Sequence, residues 1–434
     1  MSMTISMIAG PGNMPEQPSD GRPGADGLRL PGSESLMGRT GRITDRAAAA
    51  FSRLPWWLQV TAVYGLARVF SFAVLTAASA KQITSPWAAT APSYLEFVNF
   101  WDSGWYQRIY EEGYPSVLPR DAEGAVAENQ WAFHLLFPTL VRLAGLVTGA
   151  EWIPVAPVVA TAFGFAAALV IFKLFRMRAG HADSLWAIAL VAFFPTSPIL
   201  QIPYAESLHL FLLALALLLV ARGRHLTAIP VVVLMCLARP AGVPFAMLAA
   251  GLLLIHLPAQ WRSDRQRVIR LAALTSSSAL AAVAWPLIAW VVTGEPSAYV
   301  ETETVWRGEE LVPFLPWWTA SVRFLGGAVG PLALIGIVAA TVWFLFSTPG
   351  RRLGVHLQLW CGAYLLYLAA FWNPQTSTFR ILLPLFPLAL AAVFGSRSRA
   401  YRLVLVAGFA VLQIVWVTWL WAWTPLPSGG DYSP

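Results

Sequence analysis

Asp102 sits among Trp101, Trp105 and Tyr106 in the stretch FVNFWDSGWYQRIYEEGYP, Phe97 to Pro115, which closes on a Gly113-Tyr114-Pro115 turn. A carboxylate in that setting can take a proton from a hydroxyl, and the rings beside it can stack on sugar faces. Other polar residues stand isolated in apolar sequence: Gln130 and His134 in NQWAFH, Tyr204 and Glu206 in PYAES, Arg239 in ARPAG, and Asn373, Gln375 and Arg380 in NPQTSTFR. Arg239 and Arg380 can stabilise a departing phosphate. One base and two cations suit displacement at an anomeric carbon, because phosphate leaves as an anion and needs no general acid. Direct displacement inverts that carbon. Glycoside hydrolysis differs, since it usually sets two carboxylates across the bond. No carboxylate cluster for a divalent metal is evident, no Cys/His group has metal-ligand spacing, and the chemistry requires no cofactor.

Each residue also has a plainer explanation. Asp102 could cap a helix over SGWYQRIY, and the aromatic residues could form an interfacial belt. Glu206 could simply neutralise an arginine, Arg239 could snorkel, and Arg380 could anchor a helix end. Arg68 lies well inside an apolar run with no evident partner. The convergence of these residues argues more strongly than any one of them.

The elements that must position them are membrane helices. The chain has 434 residues, 57% hydrophobic and 12% charged, with mean hydropathy +0.60; a soluble domain carries about 25% charged residues. Such composition predicts an all-α polytopic membrane protein. The net charge of +7 reads as topology, not as nucleic-acid binding. Lysine occurs only at Lys81 and Lys173, which suggests a GC-rich, actinobacterial genome. Cys236 and Cys361 fall in apolar runs and read as small core residues. The polar, Pro/Gly-rich first 50 residues show no secretory signal.

Residues 1–45 are expected to be a disordered cytoplasmic tail and 46–425 the transmembrane domain. Arg39, Arg42, Arg46 and Arg53 precede the first span, which puts the N-terminus inside. Spans are expected at about 56–78, 153–175, 184–200, 208–221, 271–292, 319–346, 354–372, 381–394 and 403–423. Residues 225–256 are too short for two full spans and read as a hairpin with its tip at Arg239 to Gly242, bringing the total to about eleven. The segment 133–149 contains Pro138 and Arg142 and reads as interfacial or re-entrant. This leaves a large first external region, 79–152, an external acidic loop, 294–318, and an external tail, 426–434. All the isolated polar residues above then lie at or just below the external face, where an ionisable group is a functional candidate.

The ordered set WDSGWYQRIYEEGYP (101–115), NQWAFHLLFPTLVRL (129–143), PYAESLHLFLLALALLL (203–219), ARPAGV (238–243) and QTSTFRILLPLFPLAL (375–390) resembles the PIG-V-type mannosyltransferases of the GT-C superfamily. The resemblance covers most of 56–423. It implies a GT-C-like helical bundle, a polyprenyl-phosphate-mannose donor, an extracytoplasmic active site in a bacterial plasma membrane, and Asp102 as the essential acid. In the mannosyltransferase reading Asp102 deprotonates the acceptor, Arg239 and Arg380 hold the donor phosphate, and Glu206 orients one of them. Gln130 and His134 contact sugar hydroxyls, with Trp101, Trp105, Tyr106, Tyr204 and Gln375 completing the substrate site. GT-C enzymes commonly carry an acidic pair. Here Ser103 follows Asp102, so a second carboxylate must come from Glu111, Glu112 or Glu206, or be absent. The eukaryotic acceptor, a GPI precursor, does not carry over to a bacterium. The acceptor stays open among a glycolipid, a lipoglycan and a protein. Two rival readings are the same architecture with glucose, arabinose or galactose, and a lipid or glycolipid transporter. The absence of an internal repeat and the skew of polar residues to one face weigh against the transporter.

Overall fold

The computed structural model describes residues 49–260, 262–308, 312–427 and 433–434. The tail expected over 1–45 lies outside them, as does most of 426–434. Residues 49–53 form a short helical stretch in a unit that ends at Leu54. The unit Pro55–Pro434 holds everything below. Among its described residues the only extended pairing is one isolated bridge, Arg120 to Val126.

The principal helices are α1 (Trp56–Ser79), α2 (Asp102–Glu112), α3 (Leu136–Thr148), α4 (Trp152–Phe175), α5 (His181–Ala192), α6 (Glu206–Ala221), α7 (His225–Ala238) and α8 (Gly242–Gln260). They continue with α9 (Arg265–Thr293), α10 (Ala298–Arg307), α11 (Leu315–Leu325), α12 (Val329–Phe346), α13 (Val355–Phe371), α14 (Pro387–Gly395) and α15 (Arg399–Trp416). By length and composition five helices among the described residues can cross a membrane, or six if the bent pair Thr378–Leu385 and Pro387–Gly395 counts as one. Every stretch expected to span holds an apolar helix, several of them short.

Several stretches depart from expectation. The helix begun near 184 stops at Ala192, because Pro195 and Pro198 lack amide donors and restrict the residues before them. A 3-10 turn, Ser197–Gln201, carries the chain on. The stretch 319–346 is two helices, broken where Gly326 adopts φ +83. A Cβ on Gly330 would lie 2.2 Å from the Ser321 carbonyl oxygen, so α11 folds back against the start of α12. The loop 294–318 contains α10 and the start of α11.

Arg68 does have partners. It donates to the carbonyls of Ala192 and Ser197 and to the Ser197 hydroxyl, and so caps the C-terminal end of α5. Gln413 of α15 joins the same knot by donating to Ser197 Oγ at 2.9 Å.

α6 is the axis of the fold. It is apolar all round, and most of its residues, from Glu206 to Val220, are buried. α12 is equally apolar, but Leu332, Ile335, Ile337 and Trp343 are exposed, as on a helix that faces lipid. The buried N-terminal end of α6 is where the site lies.

Candidate active site

Asp102 opens α2 next to a strained residue, since Trp101 has φ +59 and ψ −130. A bulky side chain adopts positive φ only where its surroundings impose it. The Trp101 indole donates to the Trp421 carbonyl at 2.8 Å, and the Trp421 indole donates to the Phe97 carbonyl at 3.1 Å. This double clasp joins the first loop to the end of the chain. It fixes Asp102 with its amide donating to the Tyr204 hydroxyl at 2.9 Å.

Three further segments meet there. Glu206 is the first residue of α6. Arg239 is an extended residue between α7 and α8, where Pro240 prevents the helix from continuing. Arg380 rides on a single helical turn, Thr378–Ile381, before a 74° bend into α14. Arg380 Nη2 donates to Asp102 Oδ2 at 2.6 Å, and its Nη1 donates to Glu206 Oε1 at 3.0 Å. Arg239 Nη1 donates to the same Glu206 oxygen at 2.5 Å.

The chain Asp102–Arg380–Glu206–Arg239 alternates in sign and is neutral overall. That balance offsets much of the cost of burying four charges. Side-chain exposure is 5% at Glu206 and 10% at Arg380, against 17% at Asp102 and 20% at Arg239, so the two ends are the accessible members. Among the described residues, buried Glu206 Oε2 and Arg380 Nε have no hydrogen-bond partner. Buried polar atoms are normally paired, so these two mark where an incoming group can bond. A cavity of about 70 Å³ adjoins Glu206, Arg239 and Arg380 and is walled by His209, Tyr364, Tyr367 and Trp372.

The Arg380 guanidinium lies 5.2 Å from the centre of the Tyr204 ring. Burial first, and then the charge of Asp102, pushes the Tyr204 phenol well above its usual value, so it stays protonated. Tyr106 is buried against Phe133, Phe137 and Tyr204. His134 stacks on Trp285 at 5.1 Å; burial, and then Arg239, lowers it to about 3, which keeps the ring neutral.

The other expected site residues bond and stack outside the ion-pair chain. Trp101 is a buried strut. Trp105 stacks on Phe133 at 6.0 Å and meets Trp306 edge-on at 5.5 Å. Gln130 is buried in a 3-10 turn whose frame is rigid, because Asn129 bonds Thr302 and Trp131 bonds the Pro115 carbonyl. Gln375 is exposed, with its amide donating to Thr378 Oγ1 at 3.1 Å. Asn373 ties the Arg380 segment to α10 by donating to the Arg307 carbonyl at 2.9 Å. Of the three candidate second carboxylates, Glu206 reaches the cluster. Glu111 accepts from Gln107, and Glu112 pairs with Arg108 on the surface.

Sequence reading missed His209, Tyr364, Tyr367 and Glu303. His209 follows Glu206 by three residues and Tyr367 follows Tyr364 by three, which places each pair on one helix face. Glu303 bonds Tyr299 within α10 and feels Arg239; burial raises its pKa.

No family model matches the chain, and no curated protein matches it. Among solved structures it is similar to ArnT from Cupriavidus metallidurans bound to undecaprenyl phosphate, at 13% identity and TM-score 0.48, covering 81% of this chain and 63% of that one. It is also similar to the oligosaccharyltransferase AglB from Archaeoglobus fulgidus in complex with an inhibitory peptide and a dolichol-phosphate, at 15% identity and TM-score 0.44. That match covers 83% of this chain and 56% of the other. The chain thus spans less than two thirds of either structure, and likenesses this distant carry no ligand or activity across.

Proposed function

We propose that the chain is an inverting membrane glycosyltransferase that moves a sugar from a polyprenyl phosphate to an acceptor hydroxyl. One observation carries this reading. Four segments far apart in sequence bring Asp102, Glu206, Arg239 and Arg380 into a single ion-pair chain beside a cavity. The motif resemblance supports mannose as the sugar and polyprenyl-phosphate-mannose as the donor. The positive-inside pattern supports an extracytoplasmic site in a bacterial plasma membrane, facing a glycolipid, lipoglycan or protein acceptor.

The reaction follows from the geometry. The donor phosphate binds Arg239 and Arg380 and competes with Asp102 for the Arg380 guanidinium. Asp102, so released, accepts the proton of the acceptor hydroxyl as its oxygen attacks the anomeric carbon. The bond from that carbon to the phosphate oxygen breaks with its electron pair on the phosphate, whose charge the two arginines stabilise. The phenol of Tyr204, held protonated, is a further donor beside the reacting groups.

The test is Asp102→Asn. Purified wild type is expected to move label from polyprenyl-phosphate-mannose into a glycolipid of the native membrane extract. The variant is expected to transfer nothing while eluting and unfolding like wild type. Turnover by a folded Asp102→Asn protein would falsify the assigned base.

A further inference from the structure

A second polar cluster lies at the other end of α7, about 20 Å along the helix from Arg239. His225, the first residue of α7, is 2% exposed, and among the described residues neither of its ring nitrogens has a hydrogen-bond partner. The titratable groups that face it are all basic: the charged Arg267 and Arg270 from the start of α9, with the imidazoles of His256 from α8 and His356 from the start of α13. His356 in turn faces Arg178, whose guanidinium lies against Gly354 and donates to the Leu353 carbonyl at 2.9 Å. Arg267 Nε is also buried without a partner among the described residues. The carboxylate of Asp264 is exposed and engaged in capping α9, where it accepts from the Arg267 amide at 3.1 Å.

Two unpaired nitrogens on one buried ring run against the rule that buried polar groups are satisfied. The positive charge here is that of the arginines, and among the described residues neither Arg267 nor Arg270 forms an ion pair. α7, α9 and α13 begin at this end of the bundle and α4, α6 and α8 end there, so the helix dipoles offset one another and the arginines supply the positive charge. What complements such a set is an anion with several acceptor oxygens.

We infer that His225, His256, His356 and Arg267, with Arg178 and Arg270 at the rim, form a phosphate-binding site. The ligand is a phosphate with net negative charge, carried by an anionic phospholipid headgroup or free in solution. The site is separate from the Asp102 cluster, at the ends of the helices that charge patterning assigns to the cytoplasm. It does not depend on the glycosyltransferase reading.

The experiment is thermal unfolding of the full-length protein, with each phosphate source tested against a matched control. Inorganic phosphate is compared with chloride at equal ionic strength in neutral detergent. Nanodiscs of phosphatidylglycerol are compared with nanodiscs of phosphatidylcholine. Because the outer arginines also attract phosphate, both arms are run in wild type and in Arg380→Gln. Stabilisation is expected to persist in Arg380→Gln. It is expected to weaken by about tenfold in apparent affinity in His225→Phe and in Arg267→Gln, each of which loses a charged or polar bond. Arg267 is only partly buried, so its variant keeps the test valid if His225→Phe fails to fold. A response in nanodiscs alone names the headgroup as the source, and a response in detergent names the free anion. The proposal is overturned if neither source stabilises Arg380→Gln, or if stabilisation survives loss of Arg267.

Discussion

Glu206→Gln is the most direct probe of the ion-pair chain, because one oxygen, Glu206 Oε1, receives both arginines. At 2.5 and 3.0 Å and an effective dielectric of about 20, each attraction is on the order of 5–7 kcal/mol before desolvation. Desolvation removes much of that, and truncating one partner of a buried pair costs about 3–5 kcal/mol. Arg239 is 20% exposed and can be partly rehydrated, so the lower end, about 3 kcal/mol, is expected. Arg239→Gln should cost less, because Glu206 keeps Arg380. The double variant should then cost about 1–2 kcal/mol less than the two single changes added together. The assay is unfolding in mixed micelles titrated with a denaturing detergent, followed by tryptophan fluorescence. Additivity within about 0.5 kcal/mol would mean that the two side chains do not share a bond, and the site as described would be wrong.

Three further outcomes follow from neighbouring geometry. Trp101→Phe keeps a ring but loses the 2.8 Å bond to the Trp421 carbonyl; it should cost about 1 kcal/mol and lower kcat more than KM, as steady-state kinetics would read. Gly242→Ala places a Cβ 2.6 Å from Ala282 Cα, so α8 must move away from α9; a loss of about 1–3 kcal/mol and reduced turnover are expected, the latter because Arg239 is three residues away. His134 is held neutral down to about pH 3, whereas the unfolded chain takes up the proton near pH 6.5. Its contribution is therefore complete above pH 6.5 and falls as pH drops toward 3. At pH 5 the wild type should have lost about 2 kcal/mol more than His134→Gln, as unfolding at a series of pH values would show.

The members of the ion-pair chain were legible in the sequence because ionisable side chains are rare in apolar segments and costly there. Glu206, Arg239 and Arg380 stand out on that ground and Asp102 by its aromatic setting, and the four lie together. Aromatic residues were less readable. Trp101 looks the same in sequence whether it stacks on a sugar or clasps a carbonyl, and the deciding partner, Trp421, is 320 residues away. Tyr364 and Tyr367 resemble core residues until the neighbour of α13 is known. Arg68 has no evident partner in sequence, but backbone carbonyls at the end of α5 accept from it, and no side-chain pattern reveals those. The break at Gly326 was lost because a hydropathy window averages across two glycines.

On the proposed reading, the pairing of Asp102 with Arg380 is a device as well as a contact. A base locked to a guanidinium at 2.6 Å cannot readily take a proton from an acceptor. The group able to loosen it is one that competes for the same guanidinium, and the donor phosphate is such a group. Donor binding would then prepare the base, which favours transfer only when both substrates are present. The consequence is an order: acceptor alone should bind weakly and donor should enhance it. Isothermal titration of acceptor with and without a non-transferable polyprenyl phosphate measures this directly. If acceptor affinity is the same in both states, the pairing at Asp102 is structural support, and base release must have another cause.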